Sequence, residues 1–258
     1  MEEFLLYFLL WISAFSASLL TFFSGFGLGT ILLVVFGFFL PMELAIFSTA
    51  IVHFLNAVFK VSITFKRIDW NICVSFGLYA LIGSLIGSFL LLSLTFEKEL
   101  YSISFKGISH TVKTIDFILA CIIGIFAISD FFTWNSYRRI TNSNPIGGFI
   151  TGLIGGFSGH QGAVRSYFLS KKNIEAINFA ATSAMLSFMV DIVRISNYSN
   201  HFKISFLPLS FIGIGVFGAL LGSILGKQLI EKTTMPILRK MVRFFLLLFV
   251  VLKITGVL

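Results

Sequence analysis

Between Phe4 and Met42 the chain contains no Asp, Glu, Lys, Arg or His. A bilayer crossing needs about 20 mostly apolar residues, so this run is too long for one straight crossing and too apolar for a surface in water. The rest of the chain has the same character. It is 57% hydrophobic and 12% charged, with a mean hydropathy of +0.98. Soluble domains carry about twice that charge. Too few polar residues remain to cover a soluble fold, which sets aside water-soluble enzymes and nucleic-acid-binding modules. The 33 phenylalanines agree, because lipid tolerates bulky apolar side chains all around a helix. The expected fold class is an all-α polytopic membrane protein of about 8–10 membrane segments, a single transmembrane domain over residues 1–258.

The long run is interrupted at Ser24-Gly25-Phe26-Gly27-Leu28-Gly29, where three alternate glycines break a helix. Apolar segments follow at Leu44–Phe65, Ile72–Phe96 and Ile115–Trp134, with a polar stretch from Glu97 to Lys113. Residues 135–145 read as a linker. The second half repeats the plan: Ile146–Phe157, a break at Ser158-Gly159-His160-Gln161-Gly162, Ala163–Leu169, then Glu175–Ser196, Ile204–Gly226 and Val242–Val257. Short matches recur at a nearly fixed spacing. Phe23-Ser24-Gly25 returns as Phe157-Ser158-Gly159 and Lys60 as Arg194, 134 residues on, while Gly83-x-x-x-Gly87-Ser88 returns as Gly218-x-x-x-Gly222-Ser223. An internal duplication is expected, with repeat 1 over about 4–134 and repeat 2 over about 146–258.

The net charge of +8 is read through the membrane. If each broken segment returns to its starting side, Lys66, Arg67, Arg138, Arg139, Lys171, Lys172, Lys227, Lys232, Arg239 and Lys240 share one side. Lys98, Lys106, Lys113, Lys203 and Lys253 keep the other. That is a positive-inside pattern with both termini extracytoplasmic, in a multi-pass protein of the cell (inner) membrane. It also makes the repeats inverted. Single crossings at the breaks would scatter the cations over both sides. Met1-Glu2-Glu3 is acidic where a leader needs cations, so no cleaved leader is expected despite Ala14, Ser16 and Ala17. Cys73 and Cys121 lack any paired spacing, so no disulfide, metal or cofactor is expected.

Two inverted repeats with broken helices point to a secondary transporter. Backbone freed by a break must face protein or a water-filled cavity, and half-helix N-termini suit an anion. The candidate binding residues are Ser24, Gly25, Gly27, Gly29, Thr49 and Asn56 from the first half. Ser158, Gly159, Gln161, Gly162, Arg165 and Thr182 come from the second. Ser24, Thr49, Asn56, Gln161 and Thr182 are expected to line one shared cavity. Gly83/Gly87 and Gly218/Gly222 read as packing pairs instead. Ionisable residues inside apolar segments are functional candidates by default. Arg165, just after the second break, is the first choice for a cationic anchor, since its planar fork suits a sulfonate or carboxylate. His53, His160 and Asp191 are candidates for proton coupling, with a hydrogen-bonded structural role open for His160. Lys60 and Arg194 read either as functional or as snorkelling to the interface. Asp191 and Arg194, three apart, can neutralise each other. Asp116 and Asp130 read as helix-end residues at water level.

These residues resemble the sulfite exporter TauE/SafE family, also called TSUP, over nearly the whole chain. The resemblance rests on the first glycine-rich break, Pro41, the Thr49–Asn56 segment, and Arg67-Ile68-Asp69-Trp70 before the helix bearing Gly83 and Gly87. In the second half it rests on the Gly155-to-Ala163 stretch and on Ala181-Thr182-Ser183-Ala184. His160 and Gln161 stand where that second break is more commonly glycine. The resemblance implies a carrier of sulfite, sulfonates and other small sulfur-bearing anions with no ATP-binding domain. Proton coupling and a homo-oligomer stay open. Two other classes compete: an intramembrane enzyme using His53, His160 or Asp191 on a lipid substrate, and an assembly subunit of another membrane complex. No HExxH motif or nucleophile elbow supports the enzyme.

Overall fold

The structure is a computed structural model. It describes residues 2–25, 27–94, 98–105, 108–114, 144–169, 174–201 and 208–229, with isolated positions at 117–124, 172 and 247–255. The expected segments Ile115–Trp134 and Val242–Val257, with Asp116 and Asp130, lie almost wholly outside the described residues. The first half forms α1 (Glu2–Ser24), α2 (Leu28–Phe39), α3 (Met42–Thr64) and α4 (Trp70–Ser93). The second forms α5 (Asn144–Ser158), α6 (Gln161–Leu169), α7 (Ala176–Ser199) and α8 (Leu209–Leu229). Among the described residues, five helices are long and apolar enough to cross a membrane: α1, α3 with the turn that follows it, α4, α7 and α8. The polytopic helical reading holds.

Two local differences have local causes. The Glu97–Lys113 stretch contains an antiparallel hairpin, β1 (Glu99–Phe105) and β2 (Ile108–Lys113), rather than loop alone. Its Tyr101, Ile103 and Phe105 alternate with serines, the period of a strand. The linker also ends earlier than expected, because α5 starts at Asn144. Pro145 sits in the first turn, where a missing N–H is harmless.

Helix α4 sets mostly small residues inward and large apolar ones outward, the reverse of a soluble bundle. On α4 the inward positions are Ala80, Gly83, Ser84, Gly87 and Ser88, while Val74, Leu78, Ile82 and Phe89 are exposed. Small residues let backbones meet, which is how helices associate when lipid matches their apolar side chains. Asp69 starts α4 as an N-cap, accepting from the Ile72 N–H at 3.1 Å, and its own N–H donates to Thr182 Oγ1 at 3.0 Å. Asp69→Ala is expected to cost about 1 kcal/mol, read as a lower melting temperature of the detergent-solubilised protein.

Contacts fix the helix directions. Phe76, Ala80 and Ser84 of α4 meet Gly148, Gly152 and Gly156 of α5 in rising order, so these two helices run parallel. Trp11, Phe15 and Phe22 of α1 meet Gly218, Gly222 and Gly226 of α8 in the same way. Val52, Asn56 and Ile63 of α3 follow Gly215, Ser223 and Lys227 of α8, again parallel. In contrast, Phe47, His53 and Phe54 of α3 meet Tyr198, Asp191 and Phe188 of α7, which is antiparallel. Ser84 and Ser88 of α4 follow Val190 and Asn197 of α7. Thus α1, α3 and α8 run one way, and α4, α5 and α7 the other. Since α1 and α3 run the same way, the chain between them returns through α2.

Lys66 and Arg67 lie at the end of α3, where Arg67 reaches Glu175 at 3.9 Å and Lys227 donates to the Ile63 carbonyl at 2.9 Å. The described cations of that group therefore share one end of the bundle.

Candidate functional site

Both breaks are shaped by glycines no other residue could replace cheaply. Gly25 and Gly159, 134 residues apart, end α1 and α5 with φ of +71° and +80°. Gly27 opens α2 with φ of +120°. L side chains are strained in this left-handed region. A Cβ on Gly159 would also fall 2.5 Å from Arg194 Nη1. The freed backbone is satisfied from within: Leu28 N–H donates to Thr21 Oγ1 at 2.8 Å, and the Gly25 carbonyl accepts from Arg165 Nη2 at 2.8 Å. The two breaks adjoin each other. A Cβ on Gly29 would lie 3.1 Å from the Gly159 carbonyl and 3.5 Å from the His53 ring, and His53 sits halfway along α3.

Asp191 of α7 is the hub of a buried polar network. Its Oδ1 accepts from Arg194 Nε at 2.9 Å and from Gln161 Nε2 at 3.0 Å, and its Oδ2 lies 2.5 Å from His53 Nδ1. Gln161 Oε1 in turn accepts from Arg165 Nη1 at 3.3 Å. His53, Gln161, Arg165 and Asp191 are candidates on sequence grounds, and the structure joins them although up to 138 positions separate them. Arg194 and Asp191 do pair. Arg194 does not snorkel: it is 1% exposed, and Lys60 only 6%.

Beside this network lies a cavity of about 20 Å³, room for about one water. His53, Asn56 and Lys60 of α3, Arg165 of α6, Gly25, and Ser183 of α7 are among its lining residues. Asn56 Oδ1 accepts from Ser223 Oγ at 2.7 Å and Ser18 Oγ at 3.2 Å, tying α3 to α8 and α1. Arg165 keeps its Nε without a partner among the described residues.

Other expected residues lie elsewhere. Thr182 faces the start of α4 through Asp69, Thr49 is buried outside the cavity wall, and Gln161 sits behind Arg165. Ser158 Oγ lies 3.0 Å from His160 Nδ1 and donates to the Ile154 carbonyl. Gly162 falls in the first turn of α6, and the Ser24 side chain lies outside the described residues. Sequence reasoning missed Ser18, Ser183 and Ser223 and left Lys60 undecided. The match of Lys60 with Arg194 at the repeat spacing was the available signal for the last.

Charge gives the site its chemistry. Among the described residues, Lys60, Arg165 and Arg194 stand against Asp191 alone, all nine-tenths or more buried. With every group ionised, and the histidines neutral, two positive charges are in excess. A buried ion without a partner costs several kcal/mol, so the arrangement favours an anion.

A family model described as sulfite exporter TauE/SafE matches residues 10–253. No curated protein and no solved structure matches the chain.

Proposed function

The chain belongs to the sulfite exporter TauE/SafE family, and from that premise we propose that it is a secondary transporter of sulfite, organosulfonates or related small sulfur-bearing anions. The observation that carries this reading is the excess of buried cations beside the two breaks. Compact oxyanions with two or three acceptor oxygens suit the Arg165 fork and the neighbouring ammonium.

The proposed architecture is a pair of inverted repeats. Its support is that the repeat-related helices, α1 with α5, α3 with α7 and α4 with α8, run in opposite directions. Inverted repeats around a central site are the arrangement that alternating access exploits. The water-sized cavity requires its walls to part before an anion enters. We place the cation-rich end, with Arg67 and Lys227, in the cytoplasm of a cell-membrane protein. Because α1 and α3 run the same way, Glu2 then starts on the extracytoplasmic side. The His53–Asp191 pair is the proposed proton-coupling element, since it touches both the cavity wall and the second break. This reading has no catalytic step and no cofactor.

The test is uptake of labelled sulfite, sulfoacetate and taurine into proteoliposomes, with and without a proton gradient. Arg165→Ala is expected to weaken anion binding by about 10- to 150-fold, the worth of a charge-assisted hydrogen bond. Arg165→Lys, which keeps the charge and loses the fork, should weaken it less. Unchanged affinity and transport in well-inserted Arg165→Ala would remove this counter-ion from the account.

A further inference from the structure

The two halves are matched in position but not in charge. Helix α3 begins at Met42 and α7 at Ala176, the same 134-residue spacing that relates the positive-φ glycines Gly25 and Gly159. At that spacing Arg194 corresponds to Lys60, and Asp191 corresponds to Ala57. On α7 the cation is held by the acid three residues before it. On α3 the same place offers only a methyl group.

Lys60 is nevertheless buried, and it lines the cavity together with Ala57 and Arg165. Its Nζ lies 3.4 Å from the Ser18 carbonyl and 5.4 Å from the centre of the Phe22 ring. Among the described residues no carboxylate comes within ion-pair distance of it. A long carbonyl contact and an aromatic face are weak partners for a desolvated ammonium. Snorkelling would carry Nζ outward, but here it points at the ring and the α1 backbone.

We propose that Lys60 is a substrate-binding residue whose ammonium is kept for the transported anion, and that Ala57 serves this role by withholding the acid found at the equivalent place in the other half. In this arrangement Arg194 is the structural member of the pair and Lys60 the functional one. The proposal rests on the anion-transport reading above. It makes a specific demand of Ala57: a carboxylate there stands to Lys60 as Asp191 stands to Arg194. It would neutralise Lys60 from within and repel the substrate.

The experiment measures sulfite binding to the purified full-length protein by calorimetry and its uptake in proteoliposomes. Ala57→Asp is expected to weaken sulfite binding at least tenfold. Ala57→Asn, of the same size and uncharged, should weaken it far less. Independently, Lys60→Gln should lose about tenfold or more, with Lys60→Arg recovering most of it. Melting temperatures identify any variant that fails to fold, and either pair decides alone if one member of the other is lost. Equal weakening by Ala57→Asp and Ala57→Asn, or wild-type affinity in Lys60→Gln, overturns the proposal. If Arg165→Ala lowers affinity while these variants do not, Lys60 alone is removed and anion transport stands. A wild-type protein that binds neither sulfite nor sulfonates overturns both.

Discussion

Asp191→Asn is expected to destabilise the protein by about 3–5 kcal/mol, the cost of leaving a buried charge without its partner. The carboxylate accepts from Arg194 and Gln161 and pairs with His53, and all four side chains are buried. Asparagine keeps the shape but turns one acceptor into a donor facing other donors, and it raises the buried excess from two positive charges to three. A fall in melting temperature on the order of 10 °C in detergent would report this. Adding Arg194→Gln removes the cation stranded by the first change and returns the excess to two. The double variant should therefore be more stable than Asp191→Asn alone, with a coupling of about 0.5–3 kcal/mol. Two losses that simply add would show that the pair does not act as a unit. The carboxylate would then matter through His53 or Gln161 instead.

What the sequence disclosed follows from what local pattern encodes. Gly25 and Gly159 announce the breaks because few other residues take their backbone angles, and the structure puts the helix ends there. Gly83 and Gly87 announce a close crossing, and both lie against the α5 backbone. The match of Lys60 with Arg194 announced equivalent positions. It could not decide between snorkelling and burial, because that depends on what packs around them. Nor could it join His53 to Asp191, a contact made only when the halves fold onto each other. The Thr182 hydroxyl accepts from the N–H of Asp69, the residue that caps α4, a contact no local pattern encodes. A polar residue inside an apolar helix marks an inward face; which inward neighbour it meets is a tertiary fact.

The α4–α5 crossing carries the second large expectation. Gly148, Gly152 and Gly156 of α5 each bring a backbone position against a carbonyl of α4, from Phe76, Ala80 and Ser84. Gly83 and Gly87 of α4 return the contact onto the Phe149 and Leu153 carbonyls. Backbone meets backbone from both sides, so a single added methyl has no flexible side chain to push aside. Gly152→Ala would place its Cβ well inside contact distance of the Ala80 carbonyl, and the helices would have to separate. The expected loss is about 1–3 kcal/mol, toward the upper end because neither backbone can yield. Since α5 ends at Ser158, the displacement reaches the second break two turns away, and transport should fall with stability. Gly213→Ala on α8 is the control: that residue is exposed, and no described atom lies within 4 Å of the added methyl. There alanine gains about 0.8–1.0 kcal/mol of helix propensity and meets nothing, so the melting temperature should hold or rise. Were Gly152→Ala as stable and as active as Gly213→Ala, the tight crossing could not be what seats the second break. The buried charges alone would then have to fix its position.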